Sequence, residues 1–211
     1  MNLPTEPYLD QRELWPSKGK HILAHHDADT IVVYQAYRPS IGRHAIEHGS
    51  FGGEFSYSRM SWIKPNFLWM MYRSGWGSKE GQEVTLGLRL RRQFFDGILE
   101  SAVASSFGQS DSETPDAWKA AVETSDVRLQ WDPDHDPHGN TVDRWAIQLG
   151  LRGAVLEAFG KRELLEIIDM SEFVSDQRER LLSGGPSQLR MPVERTYVPS
   201  EASIARRLKL D

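Results

Sequence analysis

Short segments in which apolar and polar residues alternate recur along the sequence, and this repeat constrains the fold more than any other feature. Residues 84–91 (VTLGLRLR), 126–131 (DVRLQW) and 144–153 (RWAIQLGLRG) are apolar at every second position, which is the pattern of a strand that buries one face. The polar positions of the first segment include Arg89 and Arg91, which predicts a half-exposed strand with an arginine-bearing face. Residues 30–37 (TIVVYQAY) are β-branched and aromatic nearly throughout, which favours a buried strand.

Short helical segments interrupt these strands without a regular order. Asn66 and Gly75 are suited to the two ends of a helix over residues 67–74, and the apolar spacing predicts further helices over 93–107 and 171–182. This irregular order predicts a single mixed α+β domain with a central, largely antiparallel sheet and short flanking helices. We place this domain at residues 21–185, between an N-terminal arm at 1–20 and a C-terminal arm at 186–211.

Composition excludes several functional classes. The chain has no cysteine, which rules out a disulfide framework, a thiolate nucleophile and a cysteine-bound metal. The net charge of −5 gives no overall attraction to polyanions, so any contact with nucleic acid requires a local basic patch. The sequence contains neither a signal-like segment nor a run of about 18 apolar residues, so we expect a cytoplasmic protein without a membrane partner.

Residues 59–81 (RMSWIKPNFLWMMYRSGWGSKEG) combine large apolar residues with cations. The apolar residues are typical of a core. Arg59, Lys64 and Arg73 cannot be buried without partners, so we expect them at the edge of that core, near Trp62. A cation beside an indole can bind a nucleotide, because the ring stacks on a base while the cation binds a phosphate. Carboxylates of the chain could equally pair with these cations and leave no site.

Two glutamines interrupt apolar strands. Gln35 and Gln148 each lie in the middle of a predicted strand, where a buried amide must find hydrogen-bond partners. One interpretation is structural, with the amide joining two strands. The other is a binding role, in which both amides meet across a cleft and contact a base or a nicotinamide amide.

An acidic segment at residues 131–143 (WDPDHDPHGNTVD) partly resembles a calcium-binding loop. Asp132, Asp134 and Asp136 occupy the first ligand positions, but Pro137 stands where the loop needs glycine. We therefore expect a solvated acidic turn and no metal, with Asp132 as a candidate acid or base at a strand end. One hypothesis for this segment is metal-dependent hydrolysis by its aspartates.

Several of these motifs together resemble an uncharacterised family known as domain of unknown function 4291. They are TIVVYQAY, RMSWIKPNFLWMMYRSGWGSKEGQE, QWDP, RWAIQLGLRG and IIDMSEFV. The resemblance covers about residues 20–195. Before the first strand the sequence has KHILA where that family tends to have an arginine-rich segment. The resemblance implies no particular reaction.

A second resemblance concerns architecture. A strand ending in AYRPS and a helix closing with IEHGSF are similar to the opening of ADP-ribosyltransferase-type folds. This resemblance implies that Gln35, Tyr37 or Arg38 lies beside NAD. The catalytic triads of that superfamily are not intact here, and Gln148, which is nearest to the terminal acidic position, cannot act as a general base.

The first hypothesis is therefore a nucleotide-handling, ADP-ribosyltransferase-like enzyme that binds NAD or a related nucleotide and acts on a nucleic-acid or nucleotide acceptor. The alternative is a non-catalytic module that binds nucleic acid or protein through the same surface. The predicted catalytic residues are Gln35, Gln148 and Asp132. The predicted cofactor-binding residues are Tyr37, Arg38, Arg59, Trp62, Lys64 and Arg73.

Overall fold

The alternating segments form the long strands of the protein, which a computed structural model describes over residues 3–211. Within these residues the strands are β1 (Thr5–Pro7), β2 (Gly19–Lys20), β3 (Ile22–His26), β4 (Thr30–Tyr37), β5 (Ser61–Ile63), β6 (Val84–Arg91), β7 (Val103–Ala104), β8 (Val127–His135), β9 (Thr141–Leu151), β10 (Leu164–Asp169), β11 (Arg190–Pro192) and β12 (Arg195–Tyr197). The helices are α1 (Tyr8–Leu14), α2 (Pro39–His48), α3 (Phe67–Ser74), α4 (Arg92–Ser101), α5 (Pro115–Thr124), α6 (Gly153–Ala158), α7 (Ser171–Gly184) and α8 (Ala202–Leu208).

Most strands belong to two five-stranded sheets. The first has the order β10-β6-β4-β3-β12 and is antiparallel throughout. The second has the order β2-β9-β8-β7, with β5 paired to β9; its long β8–β9 pair is antiparallel and its short β2 and β7 strands are parallel to their neighbours. The predicted α+β class is confirmed, and its antiparallel strands divide between two sheets.

Two hydrophobic clusters cover opposite faces of the first sheet. Along β4, Ile31 and Val33 belong to one cluster, while Val32 and Tyr34 belong to the other. Burial on both faces explains why this strand is apolar nearly throughout. The first cluster also includes the apolar side chains on the inner face of β8 and β9, and it therefore fills the space between the two sheets.

The prediction of a half-exposed, arginine-bearing face on β6 is wrong. Thr85 on that face is fully buried, and a side chain at Gly87 would meet the Met170 sulfur at 3.0 Å. Arg89 is mostly buried and pairs with Glu166 of β10 at 2.8 Å. The segment that leads into α7 covers this face, so only the last residue of the strand is exposed.

Helix α3 forms as its sequence predicts. The Asn66 side chain accepts a hydrogen bond from the Trp69 amide at 2.6 Å, and Gly75 ends the helix in the left-handed conformation. Helix α4 is shorter than predicted, because the chain becomes extended at Ala102 and residues 103–104 pair with β8. Helix α5 is not among the predicted helices; it begins at Pro115, and the Thr114 side chain accepts a hydrogen bond from the Ala117 amide.

The two segments predicted as terminal arms lie against each other. Strand β1 pairs with β11, the Gln11 amide donates to the Met191 and Pro192 carbonyls, and the Trp15 indole donates to the Glu194 carbonyl. Residues 1 and 2 of the predicted N-terminal arm lie outside the described residues. The division into arms and a central domain stays a prediction. In residues 3–211 no helix combines the length and apolar character that crossing a bilayer requires.

Candidate functional site

Strand β5 joins the two sheets and separates two groups of candidate residues. It pairs with β9, and the next residue, Lys64, exchanges backbone hydrogen bonds of 2.7 and 3.1 Å with Tyr34 of β4. Side chains of a strand alternate between faces. Ser61 and Ile63 therefore point toward the space between the sheets, whereas Trp62 and Lys64 lie on the opposite face. We call that opposite surface, made of Trp62, Lys64, Gln130, Asp132 and Gln148 with Arg73 beside it, the outer face.

A carboxylate held by two amides lies on the outer face. Gln130 of β8 is directly opposite Gln148 of β9, and Asp132 lies two residues further along β8. The Gln130 amide donates to Asp132 Oδ1 and the Gln148 amide donates to Asp132 Oδ2, both at 2.7 Å. Both carboxylate oxygens thus accept a hydrogen bond, and the amides fix the position of the group. Asp132 is half-buried and keeps an open side.

The Lys64 amine is buried and has few hydrogen-bond partners. Its side chain is 6% exposed, and its Nζ donates only to the Trp62 carbonyl, at 3.4 Å. Burial, followed by the positive charge of Arg73, lowers the pKa of Lys64 to about 8, and the Asp132 carboxylate opposes this change. Lys64, Arg73 and Asp132 are therefore neighbours, and the amine titrates close to neutral pH.

Trp62 and Arg73 border the amine and the carboxylate. The Trp62 indole lies directly over Gly150, where an added Cβ would meet ring carbons at 3.0 Å. This glycine lets a large aromatic ring lie against the sheet and remain half exposed. Arg73 is exposed on α3, and Lys79 donates to its backbone carbonyl at 2.6 Å.

The other predicted binding residues lie on the inner side of β5. Tyr37, Arg38 and Arg59 line a cavity of about 340 Å³ together with Ser61. Gln35 is 2% exposed, and its amide donates to Ser61 Oγ at 2.8 Å and to the Trp62 carbonyl at 3.2 Å. Gln35 and Gln148 are thus on opposite sides of β5 and do not face one cleft.

The cations differ in their ion pairs. Within the described part of the chain, Arg59, Lys64 and Arg73 form no ion pair with a carboxylate. Arg38 does form one, with Glu54 at 2.6 Å. Three of the four predicted cations therefore keep their charge available to a guest molecule.

The acidic segment is not the solvated turn that its sequence predicts. Asp134 is 1% exposed and accepts hydrogen bonds from Arg144 Nε and Nη2 at 2.9 and 2.6 Å. Only the part around Asp136 forms a turn, in which that carboxylate accepts from the amides of His138 and Asn140. The aspartates thus have different partners, and in residues 3–211 no three His, Asp or Glu side chains form a group that could hold a metal ion.

Three residues of these sites were not predicted from the sequence: Gln130, Gly150 and Ser61. Gln130 lies in an alternating strand, as Gln148 does, and a polar residue at the centre of such a strand is the same signal. Its position opposite Gln148 depends on the register of β8 and β9, which the sequence does not state.

One family model matches most of the chain. It is described as Domain of unknown function (DUF4291), and it covers residues 21–197. The matched range contains β3 to β12 and hence every residue of the outer face and of the inner cavity. No curated protein matches the sequence.

Proposed function

The chain belongs to the DUF4291 family, and we propose that it is a nucleotide-handling enzyme similar to ADP-ribosyltransferases. In this proposal the outer face binds NAD or a related nucleotide, and the acceptor is a nucleic acid or a nucleotide. The observation that carries the proposal is a buried amine without an ion pair, placed beside a carboxylate that two amides hold in position.

The amine and the carboxylate provide two complementary chemical groups. An amine whose pKa is about 8 exchanges its proton near neutral pH, which suits a general acid or base. Asp132 presents a fixed negative charge that would stabilise positive charge developing on a bound ribose. NAD would supply the activated ribose: the acceptor would form a bond to ribose C1′ as the bond from C1′ to nicotinamide breaks, nicotinamide would leave, and neutral Lys64 would accept the proton that the acceptor loses. The predicted role of Gln148 becomes that of a positioning residue for Asp132.

The groups around this pair suit a nucleotide. The Trp62 ring offers a stacking surface for a base, and the exposed Arg73 guanidinium is free to bind a phosphate. Arg73 also raises the positive potential at Lys64, which favours the neutral amine when no anion is bound.

Calorimetric titration with NAD, with ATP and with RNA oligonucleotides tests the proposal. We expect saturable binding of NAD or ATP, weakened about 10-fold or more in Arg73→Met, because a charge-assisted hydrogen bond to phosphate is lost. Arg162→Met is the matched control, since this exposed arginine lies away from the outer face and its loss should leave binding unchanged. Absence of mononucleotide binding, or equal weakening in both variants, would contradict the proposal.

A non-catalytic nucleic-acid-binding module is the second candidate, and the half-exposed indole on a sheet face favours it. Sheets that carry aromatic rings and cations bind single-stranded nucleic acid by stacking. In that case affinity should rise with RNA length and fall steeply with salt, while NAD should not bind. The same titrations thus separate the two candidates.

A further inference from the structure

The cavity on the inner side of β5 contains a hydroxyl pair whose hydrogen bonds leave one donor unused. Gln35 Nε2 lies 2.8 Å from Ser61 Oγ and 3.2 Å from the Trp62 carbonyl oxygen. The carbonyl can only accept, so the nitrogen of the amide must face it, and Ser61 Oγ accepts from the same nitrogen.

Ser61 and Tyr37 share one further hydrogen bond. Their oxygens are 2.7 Å apart, and either hydroxyl can donate to the other. Two hydroxyl protons are therefore available for one hydrogen bond, and the remaining proton forms no hydrogen bond to a described residue, although Gln35 Oε1 is also without a partner. Burial raises the pKa of Tyr37, so its hydroxyl stays protonated. Both residues line the cavity, so the hydroxyl pair lies beside the space that a guest would fill.

The rest of the cavity specifies the kind of guest. Arg59 lies at its edge without an ion pair, whereas Arg38 is paired with Glu54. Ile41 and Phe55 provide apolar walls, and a volume of about 340 Å³ falls within the range for small-molecule sites. The cavity thus offers an unpaired cation, the unused donor of the Tyr37–Ser61 pair and an apolar surface, and it is also lined by Ser56 and by the Glu54 carboxylate that Arg38 neutralises.

We propose that this cavity is a second binding site, for a small organic molecule that carries a carboxylate or a phosphate on an apolar body. The oxyanion binds Arg59 and the unused hydroxyl proton, and the apolar body contacts Ile41 and Phe55. This proposal is independent of the proposed nucleotide site, because β5 separates the cavity from the outer face.

Benzoate, phenyl phosphate and inorganic phosphate are suitable probes, with binding followed by NMR titration of the full chain. We expect benzoate or phenyl phosphate to bind saturably and more tightly than inorganic phosphate. Arg59→Met should weaken binding about 10-fold or more through loss of a charged hydrogen bond. Arg43→Met, which removes an exposed arginine of α2 outside the cavity, should leave binding unchanged.

The hydroxyl pair gives a second, sharper test. Tyr37→Phe leaves the Ser61 proton unused and Ser61→Ala leaves the Tyr37 proton unused, so each single variant keeps one donor and should bind within about 3-fold of wild type. The double variant lacks both hydroxyls of the pair and should lose about 10-fold. Thermal unfolding of each variant confirms that it is folded. The proposal is overturned if neither organic probe binds, if inorganic phosphate binds equally well, or if Arg59→Met and Arg43→Met have the same effect.

Discussion

Two acid–base pairs have their aspartates two residues apart on β8, and they are built in opposite ways. Asp134 and Arg144 face each other directly, with two hydrogen bonds between them and less than a tenth of either side chain exposed. The Asp132 carboxylate opposes the lowering of the Lys64 pKa without an ion pair, and glutamine amides donate to both carboxylate oxygens. The first pair satisfies itself, whereas the second keeps both groups available to a ligand.

The largest effect should follow from breaking the Asp134–Arg144 pair. Arg144→Met leaves the Asp134 carboxylate buried without its ion pair and with only the His135 amide as a donor, and we expect a loss of about 3–5 kcal/mol in the free energy of unfolding. Urea denaturation at pH 7 measures this loss. The double variant Asp134→Leu/Arg144→Met should recover much of it, because no buried charge remains. A loss below about 1 kcal/mol in the single variant would contradict the comparison.

Removing the Lys64 amine should have the opposite effect and raise the free energy of unfolding. The unfolded chain keeps the Lys64 proton up to pH 10.5, but the folded chain loses it near pH 8, so wild-type stability should rise between these values. At pH 7 the charged amine costs up to about 3 kcal/mol, and Lys64→Met should recover this amount.

The control is Lys161→Met, since Lys161 is exposed and pairs with Glu157, and its removal should change stability little. Denaturation curves at pH 7, 8, 9 and 10 follow both variants. A less stable Lys64→Met protein, or a wild-type stability that does not rise with pH, would show that the amine has a partner in solution.

Glu194 extends the comparison to a buried acid. It is fully buried, one oxygen accepts from the Phe67 amide at 2.8 Å, and burial raises its pKa well above the ordinary value. The folded chain therefore keeps a proton that the unfolded chain releases above about pH 4.5, so stability should fall as pH rises beyond that value. Glu194→Gln should equal wild type at pH 4 and exceed it by about 1 kcal/mol or more at pH 7. A deficit at pH 7 would mean that the carboxylate is ionised and compensated.

The smallest effects concern the charges around Lys64. Arg73→Met removes a neighbouring positive charge and should raise the Lys64 pKa, whereas Asp132→Asn should lower it. An NMR titration of the lysine side chains measures both shifts. Shifts in the same direction, or none, would place Arg73 and Asp132 too far from the amine to belong to one site.

Local patterns predicted the elements more accurately than the site. Strands β4 and β6 and helix α3 lie where alternation and capping residues place them, because these signals arise within a few residues. Strand β5 is only three residues long and carries no such signal, yet it decides which candidate side chains meet. Its partners, and the register that brings Gln130 opposite Gln148, follow from tertiary packing. For the same reason Lys64 was expected at the edge of the core and is buried.

The hydrogen bond from the Phe67 amide to Glu194 also has a consequence for folding. It joins residues 127 positions apart in the chain, and the contacts of Gln11 and Trp15 with the same region span still longer separations. Contacts this distant in sequence form slowly, because a long loop must close first. During synthesis, helix α3 obtains its buried N-terminal carboxylate only when residue 194 has left the ribosome, so its first turn is completed 127 residues after Phe67 is added to the chain.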